Sequence, residues 1–141
     1  MRLFLDANIL FSAAWKEGAD ALLLFELAKA GHCKLTTSHL ALVEARRNIA
    51  RKRPERQFAL GRLMKRMPVG REPDQTHIVL AQAYGLPDKD IPILAAAISQ
   101  RVDLLVTGDR RDFGHLYGSS PGGVEIIGLP AAITRLLDGS E

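Results

Sequence analysis

The chain contains a single cysteine, Cys33, so an internal disulfide is impossible and a thiolate zinc site nearly so. Its four histidines, His32, His39, His77 and His115, fall at no HExxH or related ligand spacing, and no role follows for them. No apolar run approaches the roughly 20 residues of a membrane-spanning helix. The stretch DANILFSAA after the first apolar segment lacks a glycine-rich turn, which excludes a Rossmann oxidoreductase, and a P-loop is absent as well. There is no internal repeat and no low-complexity segment. In MRLFLDANIL an aspartate interrupts what a signal peptide would keep apolar, and no small-residue cleavage site follows, so a cytoplasmic protein without a membrane partner is expected.

What is present reads as one globular domain over residues 1–141, with 47% hydrophobic and 25% charged residues and enough length to bury a core unaided. The formal charge of +3 conceals an asymmetry. Ten of the 19 basic residues lie between Arg46 and Arg71 against one acid, Glu55, so this segment carries +9 and the remainder −6. Such a division suits a chain that holds a polyanion in one place and a cation in another; a pair of solvated basic helices is the plainer alternative.

Strand and helix signals alternate, the pattern of a parallel sheet covered by helices. Strands are expected at 3–5, 34–37, 103–107 and 124–127. Helices are expected over 19–30, ended by Gly31; over the segment that Ser38 caps, SHLALVEARRNIARKR, ended by Pro54; over PERQFALGRLMKRM, stopped by Pro68; and over 77–84, 91–100 and 129–137. Leu60, Leu63, Met64 and Met67 recur at core spacing, which leaves most of the basic residues of that helix on other faces.

Four acids share an address on this map. Asp6 ends the first strand and Asp109 ends LLVTG, where the carboxyl edges of parallel strands border a ligand crevice. Asp90 opens the helix in LPDKDIPILAAAI, and Glu44 lies in the first turns of the helix after the second strand. Capping is the simpler reading for Asp90 and Asp109. If the four converge at about 5 Å, however, each like pair costs about 3 kcal/mol at an effective dielectric of about 20, more than the roughly 1 kcal/mol a cap returns. A hard divalent cation, Mg²⁺ or Mn²⁺, resolves the conflict, since it takes oxygen ligands and can activate water against a phosphodiester.

LFLDANIL, the helical Glu44, PDKDIPILAAAI and LLVTGDRRDF resemble, in order and approximate spacing, the motifs of PIN-domain nucleases over nearly the whole chain. The resemblance implies a three-layer α/β/α sandwich around a parallel sheet and a Mg²⁺- or Mn²⁺-dependent ribonuclease, with the VapC-type toxins of toxin–antitoxin pairs among the similar proteins. By the same resemblance, Asp6, Glu44, Asp90 and Asp109 are the catalytic, metal-binding acids, Asn8 is the DxN neighbour of the first, and Thr107 is a supporting hydroxyl. Many VapC-type toxins carry asparagine where this chain has Asp109, so Asp112 is a second candidate for the fourth acid; Asp88 competes with Asp90 for the third. Arg110 and Arg111 at the crevice rim, and Arg47, Arg51 and Lys52 on the helix of Glu44, are the expected RNA contacts. Expected partners are an RNA substrate, an antitoxin protein and a second copy of the chain. A PIN-like RNA-binding or assembly module that does not cut is the alternative.

Overall fold

The computed structural model describes residues 1–139. Four strands, β1 (Arg2–Leu5), β2 (Lys34–Thr36), β3 (Leu104–Val106) and β4 (Glu125–Ile127), form one parallel sheet in the order β2-β1-β3-β4. Leu3, Phe4 and Leu5 of β1 and Leu104, Leu105 and Val106 of β3 are all buried, as inner strands covered on both faces must be. Eight helices among the described residues flank the sheet in the expected three-layer α/β/α arrangement. No described helix is long and apolar enough to cross a membrane.

The segment after β1, to which the strand–helix alternation assigns no element, forms α1 (Ala7–Trp15). It leaves the strand without a loop because Asp6 caps it, the carboxylate accepting the Ala7 N–H at 2.7 Å. Ala7, Ile9, Leu10, Ala13 and Ala14 are all buried, so the stripe is too broad to show the polar-to-apolar contrast of an exposed helix. Its C-terminal carbonyls, orphaned by helix geometry, are taken by two arginines of the basic segment: Arg56 donates to the Ala14 carbonyl and Arg53 to the Trp15 carbonyl, both at 2.7 Å.

The remaining helices are α2 (Leu22–Lys29), α3 (His39–Lys52), α4 (Gln57–Met64), α5 (Gln75–Ala81), α6 (Ile91–Ser99), α7 (Arg110–Phe113) and α8 (Leu129–Leu137). Ser38 caps α3 through the Ala41 N–H at 3.1 Å. The expected helix from Pro54 to Pro68 is shorter in the structure. It begins as a 3₁₀ turn at Pro54–Arg56 and regular α4 stops at Met64, after which Arg66 and Met67 bond back three residues instead of four. The residue before a proline is pushed out of the α region, and the last turn tightens ahead of it. α5 starts two residues earlier than the apolar spacing suggests, because Asp74 and His77 form a reciprocal cap.

Gln100, expected as the end of a helix, is a buried polar anchor. Its side chain accepts from Thr36 Oγ1 at 2.8 Å and donates to the Thr37 carbonyl at 3.1 Å, in close contact with Gly70, where a Cβ would collide with the amide. The edge of the sheet, the loop after α4 and the end of α6 thus meet on one amide. Gln100→Leu removes both bonds and strands buried partners, so unfolding in urea is expected to show a loss of about 1–3 kcal/mol. A change under about 0.5 kcal/mol, the scatter typical of surface substitutions, would show that the amide is not an anchor.

Candidate metal centre

Parallel pairing of β1 with β3 sets Leu5 opposite Val106, so the residues that follow, Asp6 and Thr107, emerge together at the carboxyl edge. Thr107 Oγ1 donates to Asp6 Oδ2 at 2.8 Å, and the Asn8 amide donates to the same oxygen and to Thr107 Oγ1, each at 3.2 Å. Asn8 Oδ1 accepts the Gly108 N–H at 2.7 Å, close enough that a side chain at 108 would press on it. Thr107 Oγ1 also accepts the Asp109 N–H, and Tyr117 holds the strand end by donating to the Thr107 carbonyl at 2.8 Å. One knot of side chains therefore fixes both strand ends and the turn that carries Asp109.

Three carboxylates, those of Asp90, Asp109 and Asp112, offer oxygens that all lie within 4.8 Å of one another. Asp109 serves two purposes: its Oδ1 accepts the Asp112 N–H at 3.0 Å, capping α7 as turn chemistry suggests, and this cap is what brings Asp112 round to face it. Asp90 occupies the cap position of α6 but makes no side-chain capping bond. Its Oδ2 is buried and accepts no hydrogen bond at all, with the Lys89 ammonium 3.6 Å away. A buried carboxylate oxygen left without a donor is a costly feature, and a simple capping role does not explain it.

Asp6 stands beside this trio, outside the 4.8 Å group, and is also buried. Burial pushes its carboxyl above the ordinary range against the opposing effect of the Thr107 and Ala7 bonds, and the charges of Glu44 and Asp109 push the same way. Its Oδ1 has one hydrogen bond and retains acceptor capacity for a cation. Glu44 lies half-buried on α3, without a hydrogen bond or ion pair among the described residues, and reaches the site through its charge on Asp6. Asp88 is exposed and outside the trio.

The distribution thus differs from the expected four acids. Asp90 and Asp109 come together with Asp112, which sequence order makes only a second candidate, while Asp6 and Glu44 fall outside that group. Two participants carry no sequence signal: Tyr117, which braces Thr107, and Lys89, whose ammonium lies 2.9 Å from Asp112 Oδ2. The donor set is all oxygen, includes a buried carboxylate lacking a donor, and fits a hard divalent cation.

The basic residues divide by position. Arg47 and Arg51 are exposed on α3, and Arg110 and Arg111 on α7 beside the trio. Lys52 sits over the Phe11 ring at 5.6 Å from its centroid, and Arg66 donates to the Phe25 carbonyl at 3.3 Å. With Arg53 and Arg56 at the far end of α1, a nine-residue helix about 13 Å long, part of the +9 segment fastens helices together one helix length from Asp6.

Burial, and then the Asp112 carboxyl alongside, pushes Asp90 up to about 7 from its ordinary 3.8, whereas the Lys89 ammonium holds Asp112 below the usual range. A raised acid binds its proton more tightly in the folded chain than in the unfolded one. Its contribution to stability is therefore present at low pH and is lost as pH rises toward the folded value. In EDTA the melting temperature is expected to fall between about pH 4 and about pH 7, and Asp90→Asn to flatten that fall. Parallel pH profiles for the two proteins would remove Asp90 as the titrating group.

The family model described as PIN domain matches residues 2–111. Among solved structures, that of VapBC2 from Rickettsia felis bound to a DNA fragment from its promoter superposes with a TM-score of 0.66 at 17% identity, covering 91% of this chain and 98% of the other. FitAcB from Neisseria gonorrhoeae gives a TM-score of 0.56 at 15% identity, over 90% of this chain and 97% of that one. No curated protein sequence matches. At such identities the structures speak for the fold alone, and it is the family match across most of the length that decides: this chain belongs to the PIN domain family.

Proposed function

We propose that this chain is a divalent-metal-dependent endoribonuclease and the toxin of a toxin–antitoxin pair. The observation that carries the metal-dependent chemistry is the trio of Asp90, Asp109 and Asp112 with its buried, donor-less Asp90 oxygen. Asp90, Asp109 and Asp112 would hold Mg²⁺ or Mn²⁺, with Asp6 beside them; such an ion, when bound, would supply Lewis acidity to activate water and positive charge toward the leaving oxygen. Thr107 and Asn8 keep the Asp6 carboxylate aimed, and Glu44 adds negative charge at its side. Arg110 and Arg111, exposed on the short helix that also carries Asp112, are in position to meet a phosphate at the mouth. Arg47 and Arg51 on α3 extend the positive surface along which an RNA backbone would run.

An antitoxin partner is favoured by the similarity to VapBC2 and FitAcB. A non-cutting RNA-binding module would need the basic surface but no cluster of three carboxylates beside one lysine, and the trio speaks against it.

Asp6→Asn and Asp90→Asn are each expected to lower Mn²⁺-dependent cleavage of RNA by at least about 100-fold, the scale seen when a preorganised electrostatic partner is lost. Far-UV circular dichroism should remain that of the wild type. Cleavage at the wild-type rate by either variant removes that residue from the site.

A second expectation concerns binding. In an Asp6→Asn background, neutralising Arg47 and Arg51 together should weaken single-stranded RNA binding and flatten the slope of log affinity against log salt by about 1.4, or roughly 0.7 per phosphate contact. An unchanged slope places the RNA elsewhere.

A further inference from the structure

The acid trio already has a cation within reach, and it belongs to the chain. Lys89 Nζ lies 2.9 Å from Asp112 Oδ2 and 3.6 Å from Asp90 Oδ2, bridging two of the three carboxylates. Arg110 and Arg111, although nearer in sequence to Asp109 and Asp112, make no ion pair among the described residues. Lys89 adjoins Asp90, so its tether is as short as the chain allows, and its side chain is 69% exposed, leaning in from solvent.

We propose that Lys89 is a resident counter-cation of the acid trio, which a divalent ion must displace in order to bind. This inference rests on the metal-centre reading above. The ammonium and a divalent ion would use the same carboxylate oxygens, and two positive charges sharing those oxygens repel, so occupancy by one excludes the other. Displacement costs little, because the Lys89 side chain is mostly exposed and its ammonium returns to water when it leaves. The exchange lets the crevice stay folded without metal, since the ammonium offsets the repulsion between Asp90 and Asp112. It also frees a positive charge at the mouth of the site only once the metal is in place.

Two measurements on the full chain test this. Calorimetric titration with Mn²⁺ at fixed pH should show Lys89→Met binding about fivefold more tightly than the wild type, the change expected when one weakly held competing cation is removed. Arg111→Gln, which removes a nearby charge of the same sign that is not paired to the trio, should shift Kd by less. Separately, reductive methylation of the wild type, read residue by residue by mass spectrometry, should modify Lys89 slowly in EDTA and faster with Mn²⁺, with exposed Lys65 as the internal reference. An unchanged Kd in Lys89→Met, or a Lys89 modification rate indifferent to Mn²⁺, overturns the counter-cation role and leaves the metal centre standing. Failure of both the wild type and Lys89→Met to bind Mn²⁺ overturns the metal centre and this inference with it.

Discussion

The parallel pairing of β1 with β3 is the constraint on which the site depends. Because Leu5 is in register with Val106, the next residue of each strand, Asp6 and Thr107, arrives at the same edge within hydrogen-bonding distance. A slip of one residue would turn Asp6 to the other face and bury a carboxylate without the Thr107 hydroxyl, a penalty well above the worth of a ladder bond. The hydrophobic pattern of the two inner strands and the polar knot at their ends therefore specify the same register.

From that knot the geometry propagates outward through caps. Asp6 starts α1 and Asp109 starts α7, so each carboxylate is held by the first turn of the helix it caps and faces its neighbours from a fixed direction. Asp90 is the exception. It heads α6 without capping it, and burial without a hydrogen-bond donor leaves its charge to be offset by a proton or by a cation. That difference among residues at equivalent helix positions distinguishes a carboxylate available to a ligand from one engaged by the backbone.

The basic segment has a similar division of labour. Charge counted along the chain suggests one polyanion surface, but Arg53, Arg56 and Arg66 donate to main-chain carbonyls of α1 and α2, and Lys52 covers an aromatic ring. Guanidinium groups are suited to this work because their several donors can satisfy carbonyls that a helix end leaves open, as Arg53 and Arg56 do at the end of α1. Arg47 and Arg51 stay exposed, as do Arg46, Arg62, Lys65 and Arg71 of the same segment and Arg110 and Arg111 of α7.

Much of the fold could be read from local order. Apolar runs of three or four residues between capped helices specify parallel strands, and Ser38, Gly31, Gly85 and Pro54 mark boundaries close to where the structure has them. α1 escaped that reading because burial on several sides removes the polar face by which a helix announces itself. The acids were legible as strand-end and helix-start residues, yet their grouping was not. Whether Asp112 or Asp6 shares oxygens with Asp90 depends on the turn of α7 and on how α6 lies against β3, distances that no spacing along the chain encodes. The sequence by itself determined the elements, the sheet's buried strands and the candidate acids, because these follow from side-chain polarity and period. Only the tertiary structure decided which carboxylate lacks a donor and which lysine leans into the trio, because hydrogen bonding and Coulomb energy depend on distance through space.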